Sequence, residues 1–205
     1  HMTPLVGDRV DFTPGEGDEH GWLEEILPRS SQCLRPPVAN ITLLVIVAAV
    51  APAPDWLLID KLLLGARMQG MRAVLVMNKC DLGEEAAQQA RRDYAGAELP
   101  VLCVSAGTGA GVEQLRAQMQ GKIACFAGQS GVGKSTLLKL LAGLIEPVCG
   151  TVTINDGGCR IYDADSRWKA DRLAYVHQES TVFNETLRDN ITLHRPWLTD
   201  DDIVR

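Results

Sequence analysis

GQSGVGKST, residues Gly128 to Thr136, decides how the rest of the chain is read. It fits G-x-x-x-x-G-K-[ST], with Gly128, Gly133, Lys134 and Ser135 at the defining positions. KIACFA (Lys122–Ala127) before it reads as a short buried strand, and LLKLLAGL (Leu137–Leu144) after it as an apolar helix. Strand, glycine-rich turn and helix is the context in which this pattern cradles phosphate. Glycines let successive backbone N–H groups point inward as an anion nest, and the positive end of the following helix adds to it. On that reading Gly128, Ser130, Gly131, Val132 and Gly133 wrap a phosphate chain, and Thr136 extends the contacts. Lys134 reaches the β- and γ-phosphates, and the Ser135 hydroxyl takes one Mg²⁺ position. A nucleoside phosphate is the expected ligand.

Composition agrees with a globular binder. Of 205 residues, 46% are apolar and 22% charged, values that exclude a disordered chain. A net charge of −6 gives no general attraction to nucleic acid, so an RNA or ribosome contact needs a local basic patch. The longest uncharged apolar run, Ile41 to Pro54, is too short to cross a bilayer, so no membrane role is expected. The six cysteines are scattered, with no C-x-x-C and no histidine partners. That pattern implies a reducing, cytoplasmic compartment without disulfides or structural zinc. The opening His1-Met2 reads as a cloning remnant of a recombinant protein.

Upstream of the loop, Val6–Gly21 has short β-prone pieces broken by Gly, Pro and acidic residues, and WLEEILP (Trp22–Pro28) reads as a strand. These are too few strands to close a barrel. Ser30–Pro37 reads as a linker. From Ala39 the pattern alternates. ITLLVIV (Ile41–Val47), AVLVM (Ala73–Met77) and VLCV (Val101–Val104) are core strands. Asp55–Met68 with Asp55 as N-cap, Glu84–Tyr94 and Val112–Met119 are the helices between them. Short connections imply right-handed crossovers and a parallel sheet. Downstream, GTVTI (Gly150–Ile154) is β-rich, and LAYV (Leu173–Val176) is a further strand. Thr186–Ile191 suits a helical turn, and TDDD (Thr199–Asp202) a capping box.

Two more motifs sit at strand ends. In NKCD, Asp81 can accept two hydrogen bonds from the N1 and N2 donors of guanine, a donor pair adenine lacks. The Lys79 stem can lie over the purine, and Asn78 can tie this turn to the phosphate loop. In Ser105-Ala106-Gly107, a backbone N–H can donate to guanine O6. Each motif alone is weak. At successive strand ends of one sheet, they face the crevice where ligands bind in open α/β folds.

Their order is unusual, because the base-reading motifs precede the phosphate loop. With VGDRV, ILPRSSQCLRPPVANITLLVIVAA, VLVMNKCDL and FAGQSGVGKSTLL, that permuted order closely resembles the RsgA (YjeQ) family of ribosome-associated GTPases, from about Val6 to Leu138. The resemblance implies the tail of an OB-type barrel, GTP binding and hydrolysis with Mg²⁺, and small-ribosomal-subunit contact. It also implies a switch region with a Mg²⁺-coordinating Thr, then an Asp-x-x-Gly and a zinc-binding domain, but no Asp-x-x-Gly and no Cys/His ligand set follows Leu138. Instead KLLAGLIEPVCGTVTI, LAYVHQES and TVFNETLRDNI resemble the nucleotide-binding domain of ABC transporters, over about Gly128–Arg205. By that resemblance Gln178 matches the Q-loop glutamine, the one catalytic candidate, which contacts Mg²⁺ and the attacking water. His177 beside it reads as a loop residue.

The expectation is a P-loop NTPase-like three-layer α/β/α fold with a mostly parallel sheet, preceded by a partial OB-type β segment. Its divisions fall at 1–30, 31–138 and 139–205. The expected function is GTP or GDP binding, with weak or absent hydrolysis, in a laboratory chimera spliced at the loop. A folding scaffold without activity and an active ribosome-associated GTPase are the alternatives, and ribosome binding is the least expected. If Leu173–Val176 leaves the sheet edge open, a homodimer by segment exchange follows.

Overall fold

The computed structural model describes residues 3–13, 21–34, 36–149, 151–154, 159–165, 167–169, 186 and 189. The Leu173–Val176 strand, His177, Gln178 and Thr199–Asp202 lie outside them, as does most of Thr186–Ile191.

Two small antiparallel ribbons come first. β1 (Val10–Thr13) pairs with β2 (Trp22–Ile26), with a bulge between Asp11 and Phe12. β3 (Gln32–Leu34) pairs with β4 (Pro37–Ala39), so the stretch expected to be a linker is a hairpin. Long-range partners hold it there. Val6 bridges Val38, and the Asn40 side chain accepts from Ser30 N at 2.8 Å and donates to Gly7 O at 2.8 Å. Arg29 grips Asp8 with both Nε and Nη2, at 2.7 and 2.8 Å.

The sheet that follows contains β5 (Leu43–Ala49), β6 (Arg72–Asn78), β7 (Val101–Cys103) and β8 (Ala124–Ala127). Its order is β7-β6-β5-β8, all parallel. β5 lies centrally because LLVIVAA is apolar at every position and can be buried on both faces. Alternation divides it cleanly. Leu44, Ile46 and Ala48 enter one core with Leu75 and Met77; Leu43, Val45 and Val47 enter the other with Val74 and Val76.

Helices cover both faces, giving three layers. The first core is closed by α1 (Trp56–Met68), through Ile59, Leu63 and Ala66, and by α2 (Glu85–Asp93), through Ala87 and Ala90. Asp55 caps α1, accepting from Leu58 N at 3.0 Å. The second core is closed by α3 (Val112–Met119) and α4 (Lys134–Leu141), through Leu115, Leu137 and Leu140. Each fully buried leucine contributes about 1.5–3 kcal/mol relative to exposure.

α4 starts three residues earlier than the apolar run suggests, and stops at a glycine. Gly143 has φ +66°, its N–H bonds Leu140 O, and Leu144 N bonds Lys139 O, which satisfies the last carbonyls. Beyond it, β9 (Thr153–Ile154) and β10 (Cys159–Arg160) form a short antiparallel ladder. Val152 and Ile161 are buried in the second core. Among the described residues β8 is an edge strand, and no helix is long and apolar enough to cross a membrane.

Candidate functional site

The C-terminal ends of β8, β6 and β7 carry GQSGVGKST, NKCD and SAG respectively. Parallel strands put all three at one end of the sheet, although β5 separates β8 from β6. Something must therefore span the gap, and Asn78 does. Its side chain is buried. Nδ2 donates to Val132 O of the phosphate loop at 2.8 Å, and Oδ1 accepts the Ala106 N–H at 3.0 Å. Its own carbonyl accepts Val50 N, at the end of β5, at 3.1 Å. One residue thus fixes three loops to the turn it begins.

Lys79 adds a second tie. Held at φ +59°, it sends Nζ to Ala51 O at 2.5 Å and Gly131 O at 3.0 Å. Cys80 follows, half-buried, with its thiol donating to Met77 O; desolvation, with the Cys103 thiol beside it, pushes its pKa up to about 12. It is an inert packing residue at neutral pH. Asp81 lies in a single 3-10 turn, Cys80–Leu82, exposed to solvent. Among the described residues its carboxylate accepts no hydrogen bond, so both oxygens remain open to a ligand.

Ser105 builds its loop. Its Oγ accepts from Thr108 N at 3.1 Å, its carbonyl from Gly109 N at 2.8 Å, and its N–H bonds Ala110 O. With Ser105 turned inward and the Ala106 N–H spent on Asn78, the outward-facing group of this motif is Gly107, which is exposed.

The phosphate loop depends on glycine where the chain passes closest to its neighbours. A Cβ on Gly128 (φ +145°) would lie 2.0 Å from Val47 O, and one on Gly133 (φ +90°) 2.4 Å from Asn78 Nδ2. Neither position tolerates a side chain. Lys134, first residue of α4, curls back to Gly128 O at 2.9 Å and Gln129 O at 2.6 Å. Burial lowers its ammonium pKa from the ordinary value. Ser130, Gly131, Ser135 and Thr136 are exposed, and Val132 is buried beneath them as a core residue. The donor set suits a phosphate chain: a partly desolvated cation beside a glycine cradle, free N–H groups in the first turn of α4, and an exposed hydroxyl at Ser135 for a divalent cation.

What residue patterns missed here is backbone. Val50 and Ala51 enter the site through an amide and a carbonyl, which carry no side-chain signature.

Comparison with known proteins follows the same lines. The sequence model of the RsgA GTPase family matches residues 26–158, and that of the ABC transporter family matches residues 116–204. The small ribosomal subunit biogenesis GTPase RsgA of Ruminiclostridium cellulolyticum is 46% identical over 139 residues, covering 67% of this chain and 46% of the relative. Its counterpart in Alkaliphilus metalliredigens is 39% identical over 140 residues, covering 67% and 48%. Among solved structures, YjeQ from Thermotoga maritima aligns with a TM-score of 0.56 at 38% identity, covering 67% of this chain and 51% of that one. YloQ, described as a circularly permuted GTPase, aligns at 0.54 and 33%, covering 68% and 50%. The chain spans about half the length of the curated relatives it matches.

Proposed function

Because the chain belongs to the RsgA GTPase family, we propose that it binds GDP and GTP in the crevice bounded by the phosphate loop, NKCD and SAG. The observation that carries this reading is the double hydrogen bond of Asn78, which ties the loop expected to hold phosphate to the loop expected to read the base. Asp81 accepts from guanine N1 and N2, the Lys79 stem covers the ring, and the exposed Gly107 N–H donates to O6. Lys134 leaves the Gly128 and Gln129 carbonyls for the β- and γ-phosphates, where an anion offsets its desolvation. Gly128, Ser130, Gly131, Gly133 and Thr136 line the phosphates through backbone N–H groups. Ser135 would hold Mg²⁺, which would supply positive charge against the phosphates.

The proposal extends to the join. Residues beyond α4 read as ABC-type sequence spliced onto a GTPase core, which the overlap of the two family matches between 116 and 158 supports. A GTPase core continued in this way binds nucleotide and hydrolyses it slowly. The relatives' names concern small ribosomal subunit biogenesis; for this half-length chain the proposal is confined to nucleotide binding.

Titration with fluorescent GDP and ADP tests it. GDP binds tighter, and equal affinities or tighter ADP would sink the assignment. Asp81→Asn weakens GDP on the order of 100-fold and gains xanthosine diphosphate, because a carboxylate's paired acceptors become one donor and one acceptor. Single-turnover GTP cleavage tests the slow-hydrolysis half separately.

A further inference from the structure

The base-reading loop has one contact that no motif contains. Just beyond the α4 stop, Glu146-Pro147-Val148-Cys149 crosses the SAG loop, and Val148 N donates to Gly107 O at 2.8 Å. Cys149 Sγ lies 3.5 Å from Thr108 O. The crossing is close: a Cβ on Gly109 would meet Cys149 O at 3.0 Å and Pro147 Cβ at 3.1 Å. Farther along, Thr153 N donates to Glu113 Oε1 of α3 at 2.6 Å, and Val152 and Ile161 are buried. The crossing segment is thus anchored at both ends, by α4 behind and by the second core ahead.

We propose that Pro147–Cys149 is a specificity-determining strap that positions the Gly107 N–H for the base. The inference rests on the guanine-binding reading above. Its geometry concerns one peptide plane. The Gly107 N–H belongs to the peptide joining Ala106 to Gly107. On one side of that plane the Ala106 N–H is fixed to Asn78 Oδ1, and on the other the Gly107 carbonyl is fixed to Val148 N. Gly107 has no Cβ to restrict its torsions, and a Cβ there would touch nothing nearer than Ser105 Oγ at 3.8 Å. Without the Val148 bond the glycine pivots and its N–H direction is lost. The Val148 side chain is 91% exposed, so the residue acts through its amide. The strap continues directly from α4, so the helix that begins at the phosphate loop also steadies the base loop.

Val148→Pro deletes the N–H while removing almost no buried side chain, and Gly109→Ala pushes on the same crossing from the opposite side. Affinities for fluorescent GDP, ADP and Mg-pyrophosphate are measured for each and for the unaltered protein. The strap predicts a GDP loss of about three- to ten-fold, the range expected for one hydrogen bond. ADP and pyrophosphate stay within about two-fold, and Val148→Ala, which keeps the amide, recovers the original GDP/ADP ratio. An unchanged ratio in Val148→Pro overturns the proposal whatever Gly109→Ala does, as does a parallel loss of pyrophosphate, the signature of a merely structural role. If the unaltered protein shows no GDP preference, the guanine reading itself has failed, which is a different result from a failed strap.

Discussion

Residues 43–141 and residues 142–169 are held together in different ways. The first region is a parallel sheet between two layers of helices, with strands apolar at almost every position, the central β5 buried throughout and its neighbour β6 over its last five residues. Its polar ends are cross-linked by a buried amide, so loops of unlike sequence form one rigid rim. Among its described residues the second region has two-residue strands and touches the first through buried Val152 and Ile161, partly buried Ile145, Ala164 and Trp168, one strap and one carboxylate on α3. Burial on both faces of a sheet specifies the one, and a smaller apolar contact on one side docks the other. Opening free energies should differ accordingly, high in the sheet and low in the docked segment.

The largest effect is expected where the rim is tied. Asn78→Ala leaves the Val132 carbonyl and the Ala106 N–H without partners in a buried setting. At about 1–3 kcal/mol for each of the two orphaned groups, the loss is about 2–6 kcal/mol, a large fraction of a domain's stability. Urea unfolding should show it as a lower midpoint at an unchanged slope, and GDP binding should vanish under conditions where the protein still folds. A loss below about 1 kcal/mol would mean that the three loops hold their places independently.

How much of this was readable beforehand depends on the kind of force involved. The core strands were legible because continuous apolar runs between turn signals have few other ways to be buried. NKCD and SAG were legible because each places special chemistry at a strand end. The Ser30–Pro37 stretch reads as a linker because Ser, Gln, Arg and Pro dominate it; its hairpin depends on Val6, Gly7 and Asn40, partners no local pattern reveals. The α4 boundary shifts because Lys134, Ser135 and Thr136 suit a loop as well as a first helical turn, and carry no apolar period to mark the helix. Val148 was invisible, since an exposed valine in a short connection carries no hint that its amide is engaged. Gln178, the catalytic candidate, lies outside the described residues.

A matched pair of truncations sharpens the contrast between regions. Leu137 and Ile161 are both buried in the second core, one from α4 and one from the docked segment. Leu137→Ala should cost about 2–5 kcal/mol of global stability, the usual range for a cavity in a packed core. Ile161→Ala deletes similar volume, but its cost is capped by the free energy that docks the segment. We expect less than half the global effect, with backbone amides of Thr153 and Ile161 losing hydrogen-exchange protection while those of β5 keep theirs. Equal drops in the unfolding midpoint would break the distinction and make the two regions one cooperative unit.

The smallest effect belongs to the N-terminal ribbons, which are held by charge more than by apolar burial. Both oxygens of Asp8 bond Arg29, and the Leu5 N–H adds a third contact. The Arg29 hydrogen bonds hold the Asp8 carboxyl below its ordinary 3.8. A carboxylate whose folded-state pKa is depressed stabilises the fold above its unfolded value, and that contribution disappears as pH falls through the folded value. The ribbons should therefore loosen in acid below about 3.8, at the low end of the carboxylate range. Asp8→Asn cannot titrate, so its ribbon contacts should be weaker at neutral pH and should lack that acid-dependent step. Hydrogen exchange at Leu5 and Asp8, followed from pH 6 to pH 3 as an order-of-magnitude window, reads this directly. If the acid step persists in Asp8→Asn at full size, another carboxylate holds the ribbons, and the sheet rather than this ion pair sets the N-terminal boundary of the ordered core.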